Sequence, residues 1–138
     1  PTTIQNNKII WTDLPIDNPN GNWNAGFKAN YDMQDGETTI KLTLKNTSDH
    51  AVRVQASLRN SAWNPEFGST GLVIAAGAEG TITITLSAED AAQVGIISFY
   101  CELWANWSDD YDQRPTDENG DYLTTVSGSM EIVSVKVS

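Results

Sequence analysis

The sequence predicts an all-β fold, an antiparallel β-sandwich of jelly-roll type, and three observations predict it. Apolar residues recur at every second position in short runs over most of the chain, which is the period of a strand with one buried face. Turn residues separate those runs at regular intervals. Only one short stretch, Ser87-Ala-Glu-Asp90, carries a helix-start signal. About seven to nine short strands follow from this spacing. The chain is 138 residues long, enough for one domain over 1–138 with a real core.

Thr3-Ile-Gln and Lys8-Ile-Ile-Trp11 read as an edge strand in two pieces, with Trp11 a core residue. Asp13 to Gly21 holds Pro15, Pro19, Asn18 and Asn20, and is expected to be a loop. From Trp23 to Tyr31 the pattern alternates: Trp23, Ala25, Phe27, Ala29 and Tyr31 share the inner face, opposite Asn24, Lys28 and Asn30. Asp35-Gly36 marks a turn. Thr38 to Asn46 is a strand with Ile40, Leu42 and Leu44 inward and Lys41, Thr43 and Lys45 outward.

After the turn at Asn46-Thr-Ser-Asp49, His50 to Asn60 places Val52, Val54, Ala56 and Leu58 inward. Arg53, Gln55, Ser57 and Arg59 point outward. Ser61 to Glu66 is a loop by its Asn-Pro pair, and it carries Trp63. Leu72-Val-Ile74 is a short strand. Thr81 to Leu86 alternates threonine with Ile82, Ile84 and Leu86, a solvated outer face of high strand propensity. The capping-box spacing of Ser87 to Asp90 puts one helical turn at Ala91 to Val94.

Gly95 to Trp104 alternates Ile97, Phe99, Cys101 and Leu103 inward with Ser98, Tyr100, Glu102 and Trp104 outward. Ser108 to Tyr122 is a long acidic loop. Thr124 to Val137 closes the chain, with a phase slip after Ile132 that predicts a bulge.

Composition excludes several functions. With 18 acidic and 8 basic residues the net charge is −10. Nucleic acid and anionic membrane are not expected as partners, because phosphate binding needs clustered Lys and Arg. The same balance argues against an acidic polymer such as pectin, though it leaves room for local basic patches. No apolar run is long enough to cross a bilayer. Cys101 is the sole cysteine, so an internal disulfide and a Cys-type zinc site are excluded. It is expected to be a buried small hydrophobe. The start at Pro1, without Met or signal peptide, reads as a module cut from a longer or processed protein. A Trp-rich, Lys-poor, acidic chain rich in Asn, Thr and Gly suits secretion.

The outward residues of the Gly95–Trp104 strand point to a ligand. Tyr100, Glu102 and Trp104 stand in a row, with Trp107 and Asn106 just beyond. Arg53, Gln55 and Arg59 are outward on another strand, which ends at Trp63. If those strands are neighbours, they form a groove with an aromatic floor and polar flanks. Sugar rings stack their C–H faces on indoles, and their hydroxyls bond to amide, guanidinium and carboxylate groups. A glycosidase needs two carboxyl groups roughly 5–9.5 Å apart, and Glu102 is the one carboxylate on the aromatic strand face. Asp109 and Asp110 could approach it only from the loop. His50 has no Ser or Cys partner at triad spacing, so no enzyme is expected.

Asp117-Glu-Asn-Gly-Asp121 is like part of a calcium loop but lacks EF-hand spacing. A solvated acidic loop is the expectation, and no cofactor is implied beyond the option of a structural calcium. Asn46-Thr-Ser48 and Asn106-Trp-Ser108 match the glycosylation sequon. In a bacterial protein Asn106 would instead be free to touch ligand.

Taken together, Trp63, Tyr100, Glu102, Trp104, Trp107 and Gln55 resemble the binding face of a non-catalytic β-sandwich carbohydrate-binding module, of the kind attached to plant-cell-wall-degrading enzymes. Lys41 to Asn46, the threonine strand after Gly80 and the closing Met130 to Lys136 share in the resemblance. The resemblance implies a β-linked glucan as ligand (cellulose chains, mixed-linkage glucan or xyloglucan), with mannan or xylan as further options. It also implies a catalytic module in the same parent chain. The competing reading is a protein–protein module, such as a cohesin-like sandwich in a secreted assembly.

Overall fold

The computed structural model describes residues 2–15, 26–63, 65–102 and 116–138; of residues 2–5, 15, 26 and 102 it describes the backbone alone. Among the described residues nine strands and one short helix follow one another in chain order: β1 Thr2–Gln5, β2 Lys8–Pro15, β3 Gly26–Asn30, β4 Thr39–Asn46, β5 Val52–Arg59, β6 Glu66–Ile74, β7 Glu79–Thr85, α1 Ala88–Ala91, β8 Ile96–Glu102 and β9 Thr125–Val137. They form a five-stranded sheet, order β1-β2-β9-β4-β7, and a four-stranded sheet, order β3-β8-β5-β6. Every pairing is antiparallel. This is the expected sandwich.

The core lies between the sheets. Ile9, Trp11, Ile40, Leu42, Leu44, Ile82, Ile84 and Met130 come from the five-stranded sheet. Val52, Val54, Ala56, Leu58, Ile97, Phe99 and Cys101 come from the other. Fully burying each Leu, Ile or Phe contributes about 1.5–3 kcal/mol, so the alternation that places them inward is what selects the register. Phe27 and Phe99 stack with centroids 5.5 Å apart, joining β3 to the centre of its sheet.

The structure corrects several boundaries. The first two segments are not one interrupted edge strand. They are a hairpin, with Gln5 opposite Lys8. Asn6 and Asn7 both have positive φ, 52° and 62°, the geometry of a two-residue type I′ turn. Of these two, only β1 is an edge; β2 pairs on its other side with β9. Asp13 does not open a loop either. The strand continues to Pro15 past a bulge between Trp11 and Leu14. Asp13 has φ 51° there, and its N–H donates to Ser127 Oγ at 2.9 Å.

β6 starts at Glu66, well before Leu72. Its glycines hid it. A methyl group at Gly68 would lie 2.8 Å from Ile84 Cγ2, and one at Gly80 the same distance from Leu72 Cδ2. Glycine at both positions lets the edge strands β6 and β7 close one side of the sandwich. The helical turn begins directly after its cap, with Ser87 Oγ accepting from the Asp90 N–H at 3.1 Å. It therefore sits three residues earlier than expected. The predicted bulge in the last strand is present: Thr43 pairs with Ser134 and Leu44 with Ile132, leaving Val133 unpaired against β4.

Candidate functional site

The outer faces of the two sheets differ. On the five-stranded sheet, Thr39 and Thr43 of β4 face Thr85 and Thr81 of β7, with Oγ–Oγ distances of 3.2 and 3.1 Å. These hydroxyls satisfy one another and make a plain wet surface. The four-stranded sheet is built differently, because its register lines up unlike side chains in rows that cross the strands.

The central row is Lys28, Ser98, Ser57 and Ser69, one residue each from β3, β8, β5 and β6. On one side of it stand Tyr100 and Gln55, paired across β8 and β5. On the other stands Arg59, opposite Glu66. Three serines between taller neighbours make a trough. Ser57 and Ser98 point outward and are nevertheless only 7% and 8% exposed. Their hydroxyls lie 3.0 Å apart and form a hydrogen bond, so the trough has a satisfied polar floor.

The hollow above that floor has a volume of about 200 Å³, and Lys28, Gln55, Arg59, Trp63, Ser69 and Tyr100 are among its lining. Pockets that enclose a drug-sized ligand usually span roughly 300–1,000 Å³. This one is smaller and open, so it suits one segment of a longer molecule lying across the strands.

Trp63 overhangs the trough from the β5–β6 turn. Asn60 shapes that turn: its carbonyl accepts from the Trp63 N–H at 2.9 Å, and its Oδ1 accepts from the Ala62 N–H at 3.0 Å. Trp63 has φ 73°, a left-handed conformation that costs a bulky residue on the order of 1–3 kcal/mol. Arg59 offsets that cost. Its Nη2 donates to Glu66 Oε2 at 2.6 Å and its Nη1 to the Trp63 carbonyl at 3.3 Å. The Arg59 guanidinium and the Lys28 ammonium each lie 5.3 Å from the Trp63 ring centroid, within the range of a cation–π attraction. The indole is thus held from β5 and from β3, and remains 40% exposed.

Gly71 sets the other wall. A methyl there would come within 2.7 Å of Gln55 Oε1 and 2.6 Å of Arg53 Cζ. Without it both side chains lie across β6. The Gln55 amide donates to Ser69 Oγ at 2.5 Å, and its carbonyl oxygen lies over Gly71.

Of the nine expected site residues, the structure brings four together around the hollow: Gln55, Arg59, Trp63 and Tyr100. Arg53 lies one row further along β5, opposite Glu102. The Glu102 side chain, together with Trp104, Asn106 and Trp107, lies outside the described residues, as does Trp23. Arg59 also has a task not foreseen in the sequence, as the clamp of the Trp63 turn. Lys28, Ser57, Ser69, Ser98 and Glu66 were missed as site residues. Period two already put Lys28, Ser57 and Ser98 outward; what it withheld was which strands are neighbours.

Other groups take structural roles. Cys101 is fully buried, and burial pushes its thiol pKa far up. Trp11 is core, with no exposed surface. Asp117 Oδ1 accepts from the N–H groups of Asn119 and Asp121 at 2.9 and 3.0 Å, so this carboxylate builds its own turn. Among the described residues no group of three or more His, Cys, Asp or Glu is set to hold a metal ion. The first sequon is used by the fold: Asn46 is fully buried, and its Nδ2 donates to the carbonyls of His50 and Ile74 at 2.8 and 2.9 Å.

No family model matches the chain, and no curated protein matches it in sequence. Among solved structures it is similar to one described as "CBM4 structure and function", where CBM denotes a carbohydrate-binding module. The match covers the whole of this chain and 76% of that one, with a TM-score of 0.54 and 13% identity. At that identity the likeness is one of fold.

Proposed function

We propose that this protein is a non-catalytic carbohydrate-binding module that holds a glycan chain across the outer face of its four-stranded sheet. The observation that carries the reading is the serine trough between Tyr100 with Gln55 and Trp63 with Arg59. Aromatic walls take the apolar face of a sugar ring, while the amide, hydroxyl and guanidinium groups around it fix the hydroxyls. The shared fold with a structure described as a CBM4 supports the same reading.

The ligand we propose is a β-linked plant polysaccharide: β-1,4-glucan, mixed-linkage glucan or xyloglucan. An extended chain of this kind fits an open trough that crosses four strands. Trp104, Trp107, Asn106 and Glu102 follow Tyr100 in sequence and are proposed to lengthen the site beyond the described residues. Binding rather than hydrolysis is favoured by the trough's lining. Among the described residues its lining carboxylate is Glu66, which is tied to Arg59, whereas a glycosidase sets two carboxyl groups across the scissile bond. In this reading the protein works outside the cell and keeps an attached glycoside hydrolase on its substrate.

Affinity electrophoresis through gels containing hydroxyethylcellulose, mixed-linkage glucan, xyloglucan, xylan or mannan tests the proposal. Retardation in at least one gel, and its loss in Trp63→Ala and Tyr100→Ala, is expected. No retardation in any gel would contradict the reading, as would undiminished retardation of both variants. Release of reducing ends would replace it with an enzyme.

A further inference from the structure

The charge on this face runs against the charge of the chain. The four strands carry Lys28, Arg53 and Arg59 on their outer side, three of the chain's 8 basic residues, against Glu66 of its 18 acidic ones among the described side chains. Within the trough the balance is sharper. Arg59 is neutralised by Glu66 at 2.6 Å. Among the described residues no carboxylate lies within ion-pair distance of Lys28. Its ammonium instead rests 5.3 Å from the centre of the Trp63 ring, at the β3 end of the serine row.

A cation with no carboxylate partner among the described residues, at one end of a trough and beside an aromatic wall, is a place for an anion attached to a stacked sugar. We propose that the trough takes a glycan whose backbone is neutral and which carries sparse acidic substituents, with Lys28 holding the acidic group. The inference rests on the glycan reading above and names the substrate class within it. The net charge of −10 sets the density of that acid. A polyanion such as a continuous uronic-acid chain is repelled along its whole length. A single anion every few sugars meets the local field of Lys28, which is strongest at short range, where water is partly excluded. Stacking on Trp63 and ion pairing to Lys28 then act on the same sugar unit, so each limits the freedom the other has to restrict. A uronate carboxylate and a sulfate ester offer the same charge to Lys28, and the experiment separates them.

The test compares matched pairs by affinity electrophoresis: glucuronoxylan against the same polymer after carboxyl reduction, and cellulose sulfate of low substitution against hydroxyethylcellulose. The wild-type protein should bind the acidic member of at least one pair roughly tenfold more tightly, the scale of one charge-assisted contact. The first pair reports a carboxylate and the second a sulfate. That preference should vanish in Lys28→Gln, persist in Lys28→Arg, and shrink in about 0.5 M NaCl as screening grows. Equal binding within both pairs, or a preference that survives in Lys28→Gln, overturns the inference while leaving the glycan reading intact. Absence of binding to all four polymers and to the neutral glucans overturns both.

Discussion

Single residues decide the chemistry here through what their neighbours leave free. Cys101 has an apolar surrounding and a thiol pKa raised by burial, so almost no thiolate forms near neutrality. The native protein is therefore expected to resist a disulfide exchange reagent for as long as it stays folded, and to react with one thiol per chain in denaturant; rapid reaction under native conditions would contradict the burial. Asn46 is the opposite case, a buried polar residue with its bonds made. Its Nδ2 serves two carbonyls, its Oδ1 accepts from the Ser48 N–H at 3.0 Å and from the Ser48 hydroxyl, and its main chain bonds Ala78 and Gly77. It pins the ends of β4, β5, β6 and β7 together. Asn46→Ala removes the side-chain donor to the buried Ile74 carbonyl and leaves the His50 carbonyl to the Ser48 hydroxyl, and should cost about 1–3 kcal/mol, read as a lower urea midpoint at unchanged slope. Nothing in the sequence separated this asparagine from a glycosylation site, because a sequon is a local pattern and burial is not.

At the scale of the element, strands were legible wherever alternation was clean, and illegible where glycine or a short turn interrupted it. β4, β7 and β9 alternate with large apolar residues, and the slip at Val133 could be seen because valine and isoleucine fell out of phase. β6 showed only its last three residues, since Gly68 and Gly71 leave no side chain to count. Those glycines answer to neighbours distant in sequence: Gly68 to Ile84 and Leu86, Gly71 to Arg53 and Gln55. The two make different predictions. Gly68→Ala pushes its methyl into the β6–β7 seam and should destabilise by about 1–3 kcal/mol, seen as a lower thermal midpoint. Gly71→Ala meets the flexible ends of Arg53 and Gln55, so it should leave the midpoint within a degree or two while weakening glycan binding several-fold. A shift in stability without a shift in binding would remove Gly71 from the site's support.

For the whole molecule, the sandwich separates a plain face from a troughed one. The threonine surface of β4 and β7 and the trough of β3, β8, β5 and β6 are built from the same outward positions. What differs is the register, which sets three serines side by side and raises Tyr100, Gln55, Arg59 and Trp63 around them. Tyr100, Gln55 and Arg59 could be read as candidates from alternation, and Trp63 from its place in the loop that follows Arg59. The trough could not, because Ser57 and Ser98 look like ordinary wet-face serines until β5 and β8 are known to be neighbours. Lys28 needed the further step of placing β3 beside β8. The central claim is that a glycan chain lies along that row, and amide chemical-shift mapping during titration with a soluble β-glucan oligosaccharide tests it most directly. The account predicts shifts concentrated at Lys28, Gln55, Ser57, Trp63, Ser69, Ser98 and Tyr100, including the Trp63 indole N–H, with the threonine face unmoved; shifts centred on Thr39, Thr43, Thr81 and Thr85 of the five-stranded sheet, or none at all with any of the glycans, would contradict it.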